Sequence, residues 1–236
     1  MTNVERVGDS VRRDAGPWTE SVQALLAHVR AHGIDWVPEP RGLDERGREA
    51  LGYVEGDVHG YPLPDWMWDD AVLEEAARRL RIYHDATVGF SRAGRRWRLP
   101  AHAPDEVVCH NDFAPYNLVF RGRRPAGVID FDTASPGPRV WDLAYLAYRL
   151  VPLAAPGNPD APASPDDERR RRLELACTAN GGADPGEIVA TVPVRLDELA
   201  ALTAARGPGF AADVRIYAAD AAQIRSNAAG RSPRKR

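Results

Sequence analysis

Residues 107–120 read VVCHNDFAPYNLVF and residues 127–145 read GVIDFDTASPGPRVWDLAY. In the first stretch Asp112 and Asn117 stand in a His-x-Asp-x-x-x-x-Asn arrangement, flanked by the apolar pairs Val107-Val108 and Leu118-Val119, which read as short buried strands. A loop anchored at both ends by buried strands holds its polar side chains in place. In the second stretch Asp130 ends the apolar run Gly127-Val128-Ile129. A strand ending there, beside the first loop, brings a second carboxylate into the same cleft.

Two acids and an amide at this spacing suit phosphoryl transfer. The reaction needs a carboxylate to orient an acceptor hydroxyl and take its proton, a role that fits Asp112. It also needs Mg²⁺, a hard cation that takes one or two carboxylates and completes its octahedron with waters and phosphates, so Asp130 and the amide oxygen of Asn117 suffice. His110 reads as a structural group whose imidazole bonds the backbone around the turn. Asp132, in Asp130-Phe131-Asp132, has two open readings: a second metal carboxylate, or a cap for the turn before Ala134.

His-x-Asp-x-x-x-x-Asn alone occurs by chance in many chains; its conjunction with flanking strands, Ile-Asp-Phe and a later Asp-Leu-Ala is specific. On these residues the chain resembles the aminoglycoside phosphotransferase and choline kinase group. In that group a His-Gly-Asp-x-x-x-x-Asn loop supplies the base and one metal ligand, and an Ile-Asp-Phe/Trp strand end supplies the other, matching His110, Asp112, Asn117 and Asp130. The pattern departs at Asn111, where the group usually has glycine. The resemblance implies an α+β, protein-kinase-like bilobal fold with a reduced N-terminal β-rich lobe and a larger helical C-terminal lobe. It further implies that Asp142, in Trp141-Asp142-Leu143, opens a helix and braces the catalytic loop. Tyr53, Val54 and Glu55 fall where the nucleotide base should meet the hinge between lobes.

The same fold places a lysine on a small-lobe strand to hold nucleotide phosphates. The single lysine here is Lys235, near the C-terminal end, so the strand Ser10-Val11-Arg12-Arg13 must supply arginine. Successive strand side chains face opposite ways, so one of the two arginines faces the cleft. Arg12 is the expected one, with Arg13 the alternative and Glu20 the nearest helix acid to orient it. The glycine loop that should cover the phosphates is reduced to Val7-Gly8-Asp9.

Composition agrees with a compact enzyme. The chain has 236 residues, 44% of them hydrophobic, and a formal net charge of −3, which gives no nucleic-acid footprint. No apolar run approaches the roughly 20 residues needed to span a bilayer. Two isolated cysteines suit a reducing cytoplasm. No Gly-x-Gly-x-x-Gly follows a strand, and neither Cys-x-x-Cys nor His-Glu-x-x-His occurs to hold zinc.

Along the chain, residues 1–56 form the expected small nucleotide-binding lobe: a hairpin over 4–13, a helix capped by Thr19 and stopped at Gly33, and a strand over 48–54. Residues 57–225 form the catalytic and acceptor-binding lobe, with helices over 69–84, 143–150, from Ser164-Pro165 onward, 187–206 kinked at Pro193, and 211–225. His84 reads as a helix-terminal histidine. The Pro-rich segment 152–165 reads as a mobile loop, Arg169 to Arg172 as a solvated run circling a helix, and residues 226–236 as a basic disordered tail. Trp66, Trp68 and Trp97 are either core packing or an acceptor wall.

The expected activity is transfer of the γ-phosphate of ATP (or GTP) to a hydroxyl of an antibiotic, an amino alcohol or a sugar-like compound. The competing expectation is a non-catalytic nucleotide- or small-molecule-binding protein on the same fold.

Overall fold

The computed structural model describes residues 4–230. A four-stranded antiparallel sheet, in the order β1-β2-β4-β3, forms the small lobe from β1 (Glu5–Val7), β2 (Ser10–Arg13), β3 (Pro40–Leu43) and β4 (Glu49–Gly52). Helix α1 (Thr19–Ala31) packs behind it through Val22, Leu25, Leu26 and Val29, all fully buried at the helical spacing the sequence shows. Thr19 does not cap this helix from outside. It is the first helical residue, and its hydroxyl accepts from the Gly16 backbone N–H at 2.9 Å. The strand expected over 48–54 ends at Gly52, and β3 was not anticipated because Pro40-Arg41-Gly42-Leu43 has none of the alternation of a half-buried strand.

Gly56 lies between the four-stranded sheet and α2 in the chain. Its φ of 142° and a Cβ position only 2.4 Å from the Phe120 carbonyl oxygen exclude any side chain there. Beyond it, Asp57 exchanges both backbone hydrogen bonds with Phe120, each at 2.8 Å, tying the linker to the large lobe.

The large lobe carries α2 (Asp70–Thr87), then β5 (Val107–Cys109), β6 (Leu118–Arg121), β7 (Arg124–Val128) and β8 (Ser135–Gly137), then α3 (Arg139–Leu150), α4 (Asp166–Ala179), α5 (Pro185–Ala204) and α6 (Ala211–Gly230). Strand β5 pairs with β8, and β6 with β7, both antiparallel. One continuous apolar core runs from Val22 on α1 through α2 and α3 to Ile224 on α6. No helix among the described residues is long and apolar enough to cross a membrane.

Several expectations are corrected here. Residues 226–230, read as tail, continue α6 to Gly230; residues 231–236 lie outside the described residues. The Arg169 to Arg172 run is not uniformly solvated. Arg172 is buried and bonds Asp70 at 2.7 Å and the Leu150 carbonyl at 2.9 Å, which staples α4 to α2 and α3. The Pro-rich loop is tied down by Asp220 on α6, which accepts from the Ala155 N–H and the Asn158 amide. Trp66 and Trp97 pack against the core.

Candidate active site

The His110–Asn117 loop leaves β5 and enters β6 through a short 3-10 turn, Pro115–Asn117. Its shape rests on Asp142, in the first turn of α3. One carboxylate oxygen accepts from the His110 N–H at 2.6 Å and from His84 Nε2 at 3.0 Å; the other accepts from the Asn111 N–H at 2.7 Å. Burial alone would raise the pKa of this fully buried group, but the His84 contact and the backbone donors outweigh it and hold the carboxyl below its usual range. His84 is therefore an interior partner of Asp142 and not a cap on helix carbonyls.

Asn111 explains the departure from glycine. It adopts φ 65°, a left-handed conformation that asparagine tolerates better than most residues. Its side-chain nitrogen donates to the Thr133 carbonyl and to Ser135 Oγ, each at 2.8 Å, so the amide pins the loop to the segment leading into β8. Arg195 on α5 also donates to the Asn111 carbonyl.

The His110 ring bonds backbone groups around the turn. Its Nδ1 accepts from the Asp112 N–H at 3.2 Å, leaving Nε2 to donate to the Ile129 carbonyl at 3.0 Å. The ring thus links the His110–Asn117 loop to the residue before Asp130.

Asp112 is held by both oxygens. Oδ1 accepts from the Tyr116 hydroxyl at 2.5 Å and Oδ2 from the Asn117 side-chain nitrogen at 2.8 Å. Because that nitrogen also bonds the Asp112 carbonyl at 2.9 Å, the Asn117 amide oxygen is the atom left to offer a metal. Asp130, half exposed at φ 64°, turns its carboxylate into the same cleft. Hard oxygen donors in this number fit Mg²⁺.

The cation in the cleft is Arg13, not Arg12. Arg13 is buried and reaches Glu49 at 2.6 Å, Asp130 at 3.1 Å, and Asp132. Burial works against its charge, yet the surrounding carboxylates, Asp132 and Glu49 foremost, raise its pKa further. Arg12 points the other way, toward the Val11 carbonyl and Asp44. Glu20 is exposed on α1, and the orienting acid is instead Glu49, directly opposite Arg13 in the β2–β4 register and steadied by Gln23 at 2.8 Å. Asp132 neither caps its turn nor faces the solvent. It is buried against Arg13, with burial pushing its pKa up.

A cavity of about 660 Å³ lies between the lobes, lined by Val11, Arg13, Leu51, Tyr53, Val54, Asn117, Asp130 and Asp132 among others. Tyr53 and Val54 therefore reach the cleft, while Glu55 does not line it.

Behind Asp112 the hydrogen bonding continues through residues the sequence did not single out. The Tyr116 and Tyr145 hydroxyls meet at 2.9 Å, and Arg149 donates to the Tyr145 oxygen from Nε at 3.1 Å and Nη2 at 3.0 Å. Arg149 is buried among the rings of Tyr61, Tyr116, Tyr145, Tyr148 and Tyr217. The one signal available in the sequence was the aromatic and basic spacing Tyr145, Tyr148, Arg149 on one helix.

The model of the phosphotransferase enzyme family matches residues 57–175. The trifolitoxin immunity protein of Rhizobium leguminosarum bv. trifolii is 36% identical over 155 residues, covering 62% of this chain and 58% of that protein. A choline/ethanolamine kinase family protein from Mesorhizobium loti superposes with a TM-score of 0.61 at 16% identity, covering 98% of this chain and 85% of that one. An APH(2″) protein solved as its GDP and kanamycin complex superposes with a TM-score of 0.53 at 14% identity, covering 98% and 94%. With the loop, the strand-end carboxylate and the two-lobed α+β architecture in place, the chain belongs to the phosphotransferase enzyme family and has its protein-kinase-like fold.

Proposed function

We propose that this protein transfers the γ-phosphate of ATP or GTP, in the presence of Mg²⁺, to a hydroxyl of a small molecule. The observation that carries the reading is Asp112: both its oxygens are fixed by donors, and Asn117, which fixes one of them, offers its own oxygen to the same cleft. In the reaction the acceptor oxygen forms a bond to the γ-phosphorus, the bond from that phosphorus to the β–γ bridging oxygen breaks, and the hydroxyl proton passes to Asp112, leaving a nucleoside diphosphate. When bound, the metal neutralises charge on the phosphate oxygens; Asn117 and Asp130 would hold it.

Arg13 orients phosphate from the small lobe, Tyr53 and Val54 face the nucleotide base, and Asp142 with His84 fixes the loop that carries Asp112. The GDP and kanamycin complex of a structural relative supports nucleotide and small-molecule occupancy of such a cleft, and the name of the immunity protein supports an antibiotic among the acceptor classes. A purely binding protein would have no use for a carboxylate held as Asp112 is. Incubation with γ-labelled ATP or GTP and a panel of aminoglycosides, peptide antibiotics, amino alcohols and sugars, read by mass spectrometry, tests the proposal. A product heavier by one phosphoryl group, absent with Asp112→Asn, is expected. Nucleotide binding with no transfer to any acceptor and no nucleotide hydrolysis would favour the binding reading.

A further inference from the structure

The small lobe contributes little positive charge to the cleft. The β1–β2 turn is only Gly8-Asp9, and the Asp9 carboxylate faces away toward Arg41, which it bonds at 2.9 Å through both oxygens. Arg13 is shared among Glu49, Asp130 and Asp132. Three carboxylates thus converge on one guanidinium where a polyphosphate must bind.

The compensating charge comes from the other lobe. Between α2 and β5, residues 88–106 leave the large lobe and cross to α1. Phe90 packs edge-on against His28 with ring centroids 5.1 Å apart, and the Arg96 N–H donates to Ser21 Oγ at 2.9 Å. Two residues on, Arg98 lies over the Trp18 ring at 4.8 Å and reaches Asp132 at 3.6 Å. It lines the same 660 Å³ cavity as Arg13, Asn117 and Asp130, and its side chain is 47% exposed. Among the described residues, Arg13 and Arg98 are the cations lining that cavity.

We propose that Arg98 is the second half of a phosphate clamp, gripping the nucleotide's polyphosphate beside Arg13, with which it shares Asp132, in place of a glycine-rich covering loop. The geometry differs at the two arginines in a way that assigns them different tasks. Arg13 is buried and oriented by three acids, so its position is set before any ligand arrives. Arg98 has one long ion pair and a ring beneath it, so its planar fork is free to turn onto phosphate oxygens while the Trp18 face keeps it over the cleft. The inference rests on the nucleotide reading of this cleft.

Calorimetry on the full chain, with Mg·ATP, Mg·GTP, adenosine and guanosine as titrants, compares the parent with Arg98→Ala and Arg98→Lys. Arg98→Ala should weaken the triphosphate by about ten- to a hundredfold, the loss expected for a charge-assisted contact, and leave the nucleoside unchanged. Arg98→Lys should recover part of the loss, because the charge remains and the fork does not. Parental triphosphate affinity in Arg98→Ala overturns the clamp, as does an equal loss for triphosphate and nucleoside, which would mark Arg98 as packing on Trp18. A parent that binds neither nucleotide overturns the phosphotransferase reading itself, and the clamp with it.

Discussion

Arg13 and Asp130 meet at 3.1 Å across the boundary between the lobes. One is the proposed phosphate cation and the other the proposed metal carboxylate, so the two lobes are joined through the groups that the reaction would use. Binding of a metal–nucleotide complex must exchange part of this contact for contacts to the ligand. The ion pair therefore holds both partners beside the cleft that they line.

Arg13→Ala should abolish tight nucleotide binding and also destabilise the fold. Glu49 is 1% exposed, and leaving a buried carboxylate without its cation costs about 3–5 kcal/mol. The two effects are separable. Arg13→Met combined with Glu49→Gln and Asp132→Asn removes the buried charges together and keeps an acceptor for Gln23, so it should regain most of the lost melting temperature without regaining affinity. Arg12→Ala should match the parent in both measurements, since Arg12 faces Asp44 on the outer side of the sheet.

Asp112→Asn should lower turnover by about 10²–10⁴ while sparing nucleotide affinity, the usual contribution of a positioned general base. The substitution is tolerable structurally. The new amide can present its oxygen to Asn117 and its nitrogen to Tyr116, whose hydroxyl accepts as readily as it donates. Steady-state rates alongside binding isotherms check it; a variant with parental turnover would remove Asp112 from the chemistry.

Asp130→Ala should weaken Mg²⁺-dependent nucleotide binding and leave metal-free nucleotide binding nearly intact. The half-exposed carboxylate has no packing role, so the melting temperature should change little. Titrations with and without Mg²⁺ decide the matter. Equal loss in both would show that Asp130 acts by positioning Arg13 and not as a metal ligand.

The arrangement of the loop was legible in the sequence because it depends on neighbours in the chain. Asp112, Asn117 and Asp130 lie within or beside strands whose apolar pairs announce them, whereas the left-handed turn at Asn111 is held by Asp142, Thr133 and Ser135, which the spacing alone does not bring to it. The choice between Arg12 and Arg13 was not legible. It depends on which strand pairs with β2 and in what register, and only the placement of Glu49 opposite Arg13 reveals which side faces the cleft. Arg98 was hidden because only the crossing of residues 88–106 to α1 brings it over Trp18 and Asp132, and Tyr145 and Arg149 because their spacing on one helix does not tell that this face meets Tyr116. Burial of Arg172 was missed because four adjacent arginines look solvated until α4 is docked on Asp70.

Asp142→Ala should be the most destabilising of the single changes in the loop region, and its effect should depend on acidity in a defined direction. Removal leaves the His110 and Asn111 N–H groups and His84 Nε2 without their acceptor in a fully buried site. At about 1–3 kcal/mol for each orphaned donor, the melting temperature should fall by about 10 °C or more, against a small change for Asp112→Asn. Because the folded protein holds the Asp142 carboxyl below its usual range, its stabilisation is fully present above the ordinary carboxylate pKa of about 4 and is lost as pH falls through the lower folded value. The gap in stability between parent and variant should therefore stay constant from neutral pH to about pH 5 and narrow only in stronger acid. Thermal melts of both proteins across that range provide the measurement. A gap that closes already between pH 7 and 5 would show that the Asp142 carboxylate does not govern the brace.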